Sequence, residues 1–242
     1  MTPNSAHKSV TSDVPSDGLP AAVLWDMDGT LVDTEPYWIR AQHEIVEAFG
    51  GQWTDELALQ LVGKDLMVSA ALMRANSHIT WSEERIVEEL LVRVVAAVRE
   101  HLPWRPGARE LLEELAAAGT PRALVTMSWR SLADAVLAAL PEDAFTVVVT
   151  GDEVDHGKPH PEPYLAACRL LDVAPADCVA LEDSPTGVVS AVDAGVPTVA
   201  VPFILPVPER AGAVQLPSLV GIGARDLAEL GLRARQSSAG TA

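Results

Sequence analysis

Residues 21–38 read AAVLWDMDGTLVDTEPYW. A short apolar run stops at Asp26, and Asp28 and Asp33 follow close behind. Carboxylates at close quarters repel, and burying one unpaired is costly. A chain that sets them where a buried strand ends must bring compensating positive charge to the same place. Other apolar runs end in the same polar manner. Thr126 and Ser128 follow RALV, Glu182, Asp183 and Ser184 follow CVAL, and Lys158 sits in the loop GDEVDHGKPHPEPYL. Together these residues offer acids, hydroxyls and a cation. Local charge and a bound metal ion can then hold a small anionic ligand even in an acidic protein.

These groups lie more than a hundred residues apart, so the elements must gather them. Apolar runs recur at Val23–Trp25, Arg122–Thr126, Phe145–Thr150, Cys178–Asp183 and Pro197–Val201, with a weaker sixth at Ser218–Ile222. They are aliphatic on both faces, as strands of a covered parallel sheet are. Helical patterns stand between them: GARELLEELAAAG, SLADAVLAAL, PEPYLAACRLL and PTGVVSAVDAG. Strand and helix alternating at this pace predict βαβ crossovers and a doubly wound, Rossmann-like α/β core. In such a sheet, side chains just past the C-terminal strand ends meet at the switch point, where ligands bind.

One stretch breaks the rhythm. Residues 35–103 show no clear strand and several amphipathic patterns, with two short pieces hinged at Gly63 and a long one behind Ser82, a good N-cap residue. They are expected to form a helical insertion after the first strand, placed to act as a lid. The predicted organisation is a polar disordered leader over 1–19, the α/β core over 20–34 and 104–233, the helical cap over 35–103, and a disordered tail over 234–242.

The segments DMDGTLVD, LVTMS, GKPHPEPY and LEDSPTG, in that order and spacing, resemble the four motifs of the haloacid dehalogenase superfamily. The motif-bearing core spans residues 22 to about 201, and the helical insertion stands where small-cap members carry their cap. The DTEP and GKPHPEPY variants are similar to the branch holding sugar-phosphate phosphatases and β-phosphoglucomutase. The resemblance implies that Asp26 is a nucleophile forming an aspartyl-phosphate and that Asp28 is the general acid and base. It implies a Mg²⁺ ion held by the Asp26 carboxylate, the Asp28 backbone carbonyl and Asp183, with Glu182 as a further candidate. Lys158 would pair with the phosphate and Asp26, and Thr126 with the Met127 backbone N–H would bind phosphate oxygens. Read singly, Asp33 is a helix cap and Ser184 an N-cap for the helix opening at Pro185.

Within that branch the cap decides between hydrolysis and mutation. Trp38 stands where a mutase-like cap has a His, Leu66 where it has a phosphate-gripping Arg, and Trp129 where the second motif commonly has a Lys. These departures favour a phosphatase acting on a small phosphomonoester, with a phosphosugar mutase as the alternative and a non-catalytic phospho-ligand-binding relative as a third class. Trp38 and Trp129 are candidate stacking residues and Lys64 a candidate anion contact for the substrate. His43, His78, His101, His156 and His160 show no metal spacing.

Composition narrows the partners. The chain of 242 residues carries 17 Lys and Arg against 34 Asp and Glu, a net charge of −17, which argues against nucleic acid and anionic membrane. Its longest apolar runs fall short of a bilayer span, and the N-terminus lacks the apolar stretch of a signal peptide. The only cysteines, Cys168 and Cys178, have no disulfide or C-x-x-C pattern. A cytoplasmic protein, monomeric by default, with a small phosphorylated metabolite as its partner is the expectation.

Overall fold

The computed structural model describes residues 18–239. The first element is the strand β1 (Ala22–Trp25), fully buried. The helices α1 (Glu35–Ala48), α2 (Asp55–Leu59), α3 (Leu66–Ala75) and α4 (Glu83–Glu100) follow with no strand between them. From there strands and helices alternate. They are α5 (Ala108–Ala117), β2 (Arg122–Val125), α6 (Arg130–Leu137), β3 (Val147–Val149), α7 (Glu162–Leu171) and β4 (Cys178–Glu182), then α8 (Pro185–Asp193), β5 (Thr198–Ala200), β6 (Ala213–Gln215) and α9 (Ala224–Ala239).

The six strands form one parallel sheet in the order β3-β2-β1-β4-β5-β6. This is the expected doubly wound α/β sheet, and its order reverses at β1 and β4. Both are buried along their whole length, because helices cover each face. The register sets Trp25 beside Leu124 of β2 and Leu181 of β4. Asp26 N–H then donates to Leu181 O at 3.0 Å, so the first polar residue after β1 emerges level with Glu182.

The side chains of Val23, Trp25 and Met27 belong to a core that runs on into Ile45, Met73, Ile86 and Leu90 of the helical segment. α4 packs against α1, α3 and α6. Ser82 caps α4, its hydroxyl accepting the Arg85 N–H, and Asp65 caps α3 by accepting from Met67 N and Val68 N. Cys168 and Cys178 are buried and free.

Two expected elements differ. Ser218–Ile222 is not a strand, and the sixth strand is instead Ala213–Gln215. Leu219 spends its apolar surface in the core, 2% exposed, and its backbone abuts Gly107 so closely that a Cβ there would lie 2.3 Å from the Leu219 carbonyl carbon. The chain is also not irregular from residue 234. α9 continues to Ala239, with Ala234 fully buried, Arg235 paired with Asp177 at 3.5 Å, and the Ser237 hydroxyl accepting the Gly212 N–H at 2.9 Å. The expected leader lies outside the described residues except for Gly18 and Leu19, and Leu19 packs partly buried against the core.

Candidate active site

The acids that end β1 are carried on a tight turn. Leu31 N and Val32 N both donate to Met27 O, and Gly29 N donates to Val32 O at 2.7 Å. Gly29 has φ +91°, and a Cβ there would sit 2.1 Å from Asp183 Oδ2. Only glycine permits both the left-handed turn and the approach of the Asp183 carboxylate.

Lys158 is the hub of the buried charges. It comes from the loop between β3 and α7, and its side chain is 3% exposed. Its ammonium donates to Asp26 Oδ1 at 2.7 Å, Glu182 Oε1 at 2.6 Å and Val125 O at 2.8 Å, which uses all three of its N–H groups. Burial alone would lower its pKa, but the carboxylates of Asp26 and Glu182 outweigh that and hold it well above the ordinary lysine value. Glu182, fully buried, also accepts from the Tyr164 hydroxyl at 2.7 Å and the Ser184 hydroxyl at 3.2 Å. Ser184 meanwhile caps α8, accepting the Gly187 N–H. Gly187 leaves room for the Glu182 carboxyl, which a Cβ would meet at 2.0 Å.

Asp28 is held by hydroxyls. Ser128 donates to its Oδ2 at 2.7 Å, Thr126 to the same oxygen at 3.3 Å, and Thr34 to its Oδ1. Ser128 N–H donates in turn to the Thr126 hydroxyl at 3.0 Å. The ends of β1 and β2 and the start of α1 thus fix one carboxylate at the cavity floor.

Around this floor lies an open cavity of about 140 Å³. Asp26, Asp28, Thr126, Met127, Lys158 and Asp183, from the strand ends and the loops after them, line it. Glu35, Trp38, Gln42, Lys64 and Ser69, from the helical segment, line it as well. Trp129 does not line it. That residue stands at the N-cap of α6 and packs, partly buried, against the apolar core. Nor is Asp33 a cap. Thr34 occupies the N-cap position of α1, and Asp33 Oδ1 is buried with no hydrogen-bond partner.

Several residues of this site had no role assigned from sequence. Thr34 and Ser128 grip Asp28, and Tyr164 grips Glu182. Tyr164 is the last residue of GKPHPEPY, in the first turn of α7 after the loop that carries Lys158. Arg105 stacks on Phe203, 3.5 Å from the ring centre, with its charge facing Asp33 and Asp183, and Phe203 lines the cavity. The histidines also differ from expectation. His156 and His160 come together with Glu162, His156 Nδ1 lying 2.8 Å from Glu162 Oε2. Glu162 accepts the N–H groups of Asp155 and His156, which clamps the loop that carries Lys158.

The charges do not balance within the protein. Asp26, Glu182 and Asp183 place carboxylate oxygens within 4.8 Å of one another, against Lys158 in their midst and the Arg105 charge that faces Asp183. Burial first, and Glu182 and Asp28 after it, push Asp26 up to about 7 despite Lys158. Burial, then Asp26 and Glu182, push Asp183 up to about 9. Asp26 Oδ2 is buried without a hydrogen-bond partner. An all-oxygen set with an orphaned carboxylate oxygen suits a hard divalent ion such as Mg²⁺, which needs few protein ligands. Because both folded-state values exceed the unfolded carboxylate value, the metal-free folded state binds more protons than the unfolded chain between about pH 4 and about pH 9, and its stability falls as pH rises through that window. In EDTA the Tm is therefore expected to drop from about pH 5.5 to about pH 8.5, and millimolar Mg²⁺ to raise it by more than about 3 °C at the higher pH and little at the lower. A Tm that ignores Mg²⁺ at the higher pH would contradict this.

Comparison with known proteins agrees with the geometry. Residues 23–201 match the profile of the haloacid dehalogenase-like hydrolases. Hexitol phosphatase B of Escherichia coli K12 is 30% identical over 223 residues, covering 85% of this chain and 96% of that one. The phosphorylated carbohydrates phosphatase of Thermotoga maritima is 34% identical, covering 72% and 82%. The crystal structure of CbbY from Rhodobacter sphaeroides in complex with phosphate superposes with a TM-score of 0.79 at 31% identity, covering 86% of this chain and 99% of that one. A parallel sheet whose switch point gathers Asp26, Asp28, Lys158 and Asp183, on a chain matched from β1 to the end of β5, places this protein in the haloacid dehalogenase-like hydrolase family.

Proposed function

We propose that this phosphoric monoester hydrolase cleaves a small phosphorylated metabolite, a sugar or polyol phosphate, through a covalent phosphoryl-Asp26 intermediate with Mg²⁺ as its metal. The observation that carries the reading is the division of labour between the two aspartates. Asp26 has one oxygen held by Lys158 and the other unpaired, while Asp28 is fixed by three hydroxyls beside it.

Asp26 attacks phosphorus and the ester oxygen departs. Asp28 delivers a proton to that oxygen, then takes one from the water that hydrolyses the acyl phosphate. Lys158 holds Asp26 in line and sets fixed positive charge against the phosphoryl oxygens. The Met127 N–H, which has no partner among the described residues, receives a phosphoryl oxygen, and the Thr126 hydroxyl turns its one proton from Asp28 to it when substrate binds. The Asp26 carboxylate, the Asp28 carbonyl and Asp183 would hold Mg²⁺, which when bound neutralises charge on the phosphate and the acids. Glu182 serves as the anchor of Lys158, since both of its oxygens already accept hydrogen bonds. The helices α1–α4 form the cap that closes over the cavity and keeps water from the first step.

Hydrolysis is favoured over transfer between two positions of one sugar. Of the residues on the cap side of the cavity, only Lys64 carries positive charge, and Trp38 and Leu66 offer no grip for a second phosphate. The relatives that act on hexitol phosphates and phosphorylated carbohydrates support the substrate class.

The test is hydrolysis of an aryl and an alkyl phosphate with Mg²⁺ and with EDTA. Wild-type protein should turn over both only with the metal. Asp28→Asn should lower turnover of the alkyl ester by about 10³-fold and of the aryl ester far less, because an aryl oxide leaves without a proton. Equal losses on the two esters would remove Asp28 from proton transfer. Isomerisation of a sugar phosphate primed by a bisphosphate, with little phosphate released, would overturn the hydrolytic reading.

A further inference from the structure

The cap-side wall of the cavity is built largely on one stripe of α1. Glu35, Trp38 and Gln42 stand at i, i+3 and i+7, so they share a helix face, and all three line the cavity. The stripe begins next to Thr34, whose hydroxyl holds Asp28, and rises about 10.5 Å to Gln42. It therefore leads from the reacting groups into the space where the rest of a substrate must lie.

Gln42 is 4% exposed, an unusual place for a side chain that ordinarily stays in water. Its Oε1 accepts from Trp53 Nε1 at 3.1 Å. An indole N–H can only donate, so this bond decides which end of the amide is oxygen. The NH₂ is left over, and no described residue accepts from it. That nitrogen is not among the fully buried polar atoms left without a partner, so it stays reachable, and the cavity that Gln42 lines is where an acceptor can meet it. Glu35 complements it. Its carboxylate lines the same stripe with no hydrogen bond or ion pair among the described residues. Trp38, Leu66 and Leu90 supply apolar surface to the same cavity, and Lys64 is exposed.

We propose that Gln42, oriented by Trp53, is the specificity-determining donor of a hydroxyl-reading subsite, with Glu35 as its acceptor, that selects an uncharged polyhydroxylated carbon chain. A second anionic group would meet the Glu35 carboxylate and no buried cation on this wall. A hydroxyl both donates and accepts, so it satisfies either group, and the apolar surfaces accommodate the carbons. This inference rests on the phosphatase reading of the acidic end of the cavity.

The test uses two six-carbon esters, sorbitol 6-phosphate and hexyl phosphate, which differ in their hydroxyls. Wild-type protein should prefer the polyol ester by kcat/KM. Gln42→Leu should lower the ratio of the two kcat/KM values by about tenfold, because an apolar wall no longer rewards a hydroxyl. Trp53→Phe, a positioning change that frees the Gln42 amide, should lower the ratio by about threefold, through KM and not kcat. Gln42→Leu leaves the Trp53 N–H unpaired. The double variant Gln42→Leu/Trp53→Phe removes both polar groups and is the safer one to fold; it should repeat the tenfold loss. A ratio that falls by less than about threefold in whichever of these two variants folds, or a wild type that prefers hexyl phosphate, overturns the inference. Absence of aryl phosphate hydrolysis by wild type is a different failure, that of the phosphatase reading, and the ratio of the two dissociation constants by calorimetry then decides the subsite by the same threshold.

Discussion

Asp26→Asn is expected to lower kcat on every phosphomonoester by about 10⁴-fold or more while leaving the protein folded. The amide has the shape of the carboxylate but cannot attack phosphorus. Its oxygen can still accept from Lys158, which keeps Glu182 and Val125 O as further acceptors. The loss should appear equally with aryl and alkyl esters, because on the proposed mechanism every ester must first be attacked by Asp26, whatever its leaving group needs. The same substitution removes one of three crowded acids, Asp26, Glu182 and Asp183. Burial and the Asp26 charge are the first two causes that push Asp183 up to about 9, so Asp183 should become easier to ionise in the variant. The metal-free variant should accordingly be at least as stable as wild type at alkaline pH, where the cluster is most strained. Thermal unfolding in EDTA and single-turnover phosphate release check the two halves separately. A variant that keeps a tenth of wild-type turnover would show that another group attacks.

The second large effect is that of Lys158→Met, which should cost both activity and folding. Lys158 is the buried cation that touches both Asp26 and Glu182. Methionine has similar length and no charge, so packing is largely kept while two buried carboxylates lose their counter-charge. Removing one partner of a buried ion pair costs about 3–5 kcal/mol, because the survivor is left uncompensated. Turnover should fall about 10³-fold in addition, since Asp26 is no longer aimed and the phosphoryl oxygens lose a fixed positive charge. The two losses can be separated. Lys158→Met/Glu182→Gln removes one of the stranded charges while Tyr164 and Ser184 can still hydrogen-bond the amide. It should recover much of the stability measured by urea unfolding and none of the activity. Recovery of activity in the double variant would mean that Lys158 only holds the fold.

The contrast between these variants follows from where each charge lies. Asp26 is one acid in a cluster of three, so neutralising it is expected to relieve the fold while stopping the proposed chemistry. Lys158 compensates that cluster, so neutralising it harms both. This asymmetry is a property of the folded site and cannot be seen in either motif alone.

Much of the architecture was legible along the chain. The apolar runs ending in Asp26, Thr126 and Glu182 lie in three adjacent strands, β1, β2 and β4, and helices occupy the stretch from Glu35 to Glu100. Short runs buried on both faces leave a plain periodic signal, and a polar residue directly after such a run has little choice but to emerge at the sheet's end. The sixth strand was misplaced because Ser218–Ile222 and Ala213–Gln215 are both short and apolar. What separates them is whether the backbone reaches β5 to pair, a matter of chain path and not of composition. The tail was misread because its surface residues are polar while the one that decides, Ala234, is small and buried beneath them.

The site divides in the same way. The order and spacing of DMDGT, LVTMS, GKPHPEPY and LEDSP determined which residues meet, because strand ends in a parallel sheet converge whatever the intervening loops do. The sequence by itself therefore carried the acids, the lysine and the family. Tertiary structure alone decided how each is held: that Lys158 bridges Asp26 to Glu182, that Thr34 and Ser128 grip Asp28, that Trp129 packs half-buried against the core and away from the cavity, and that Gln42 is pinned by Trp53 with its amide nitrogen left over. Hydrogen bonds between side chains many residues apart depend on orientations that no local pattern encodes, and burial sets how strongly each one matters.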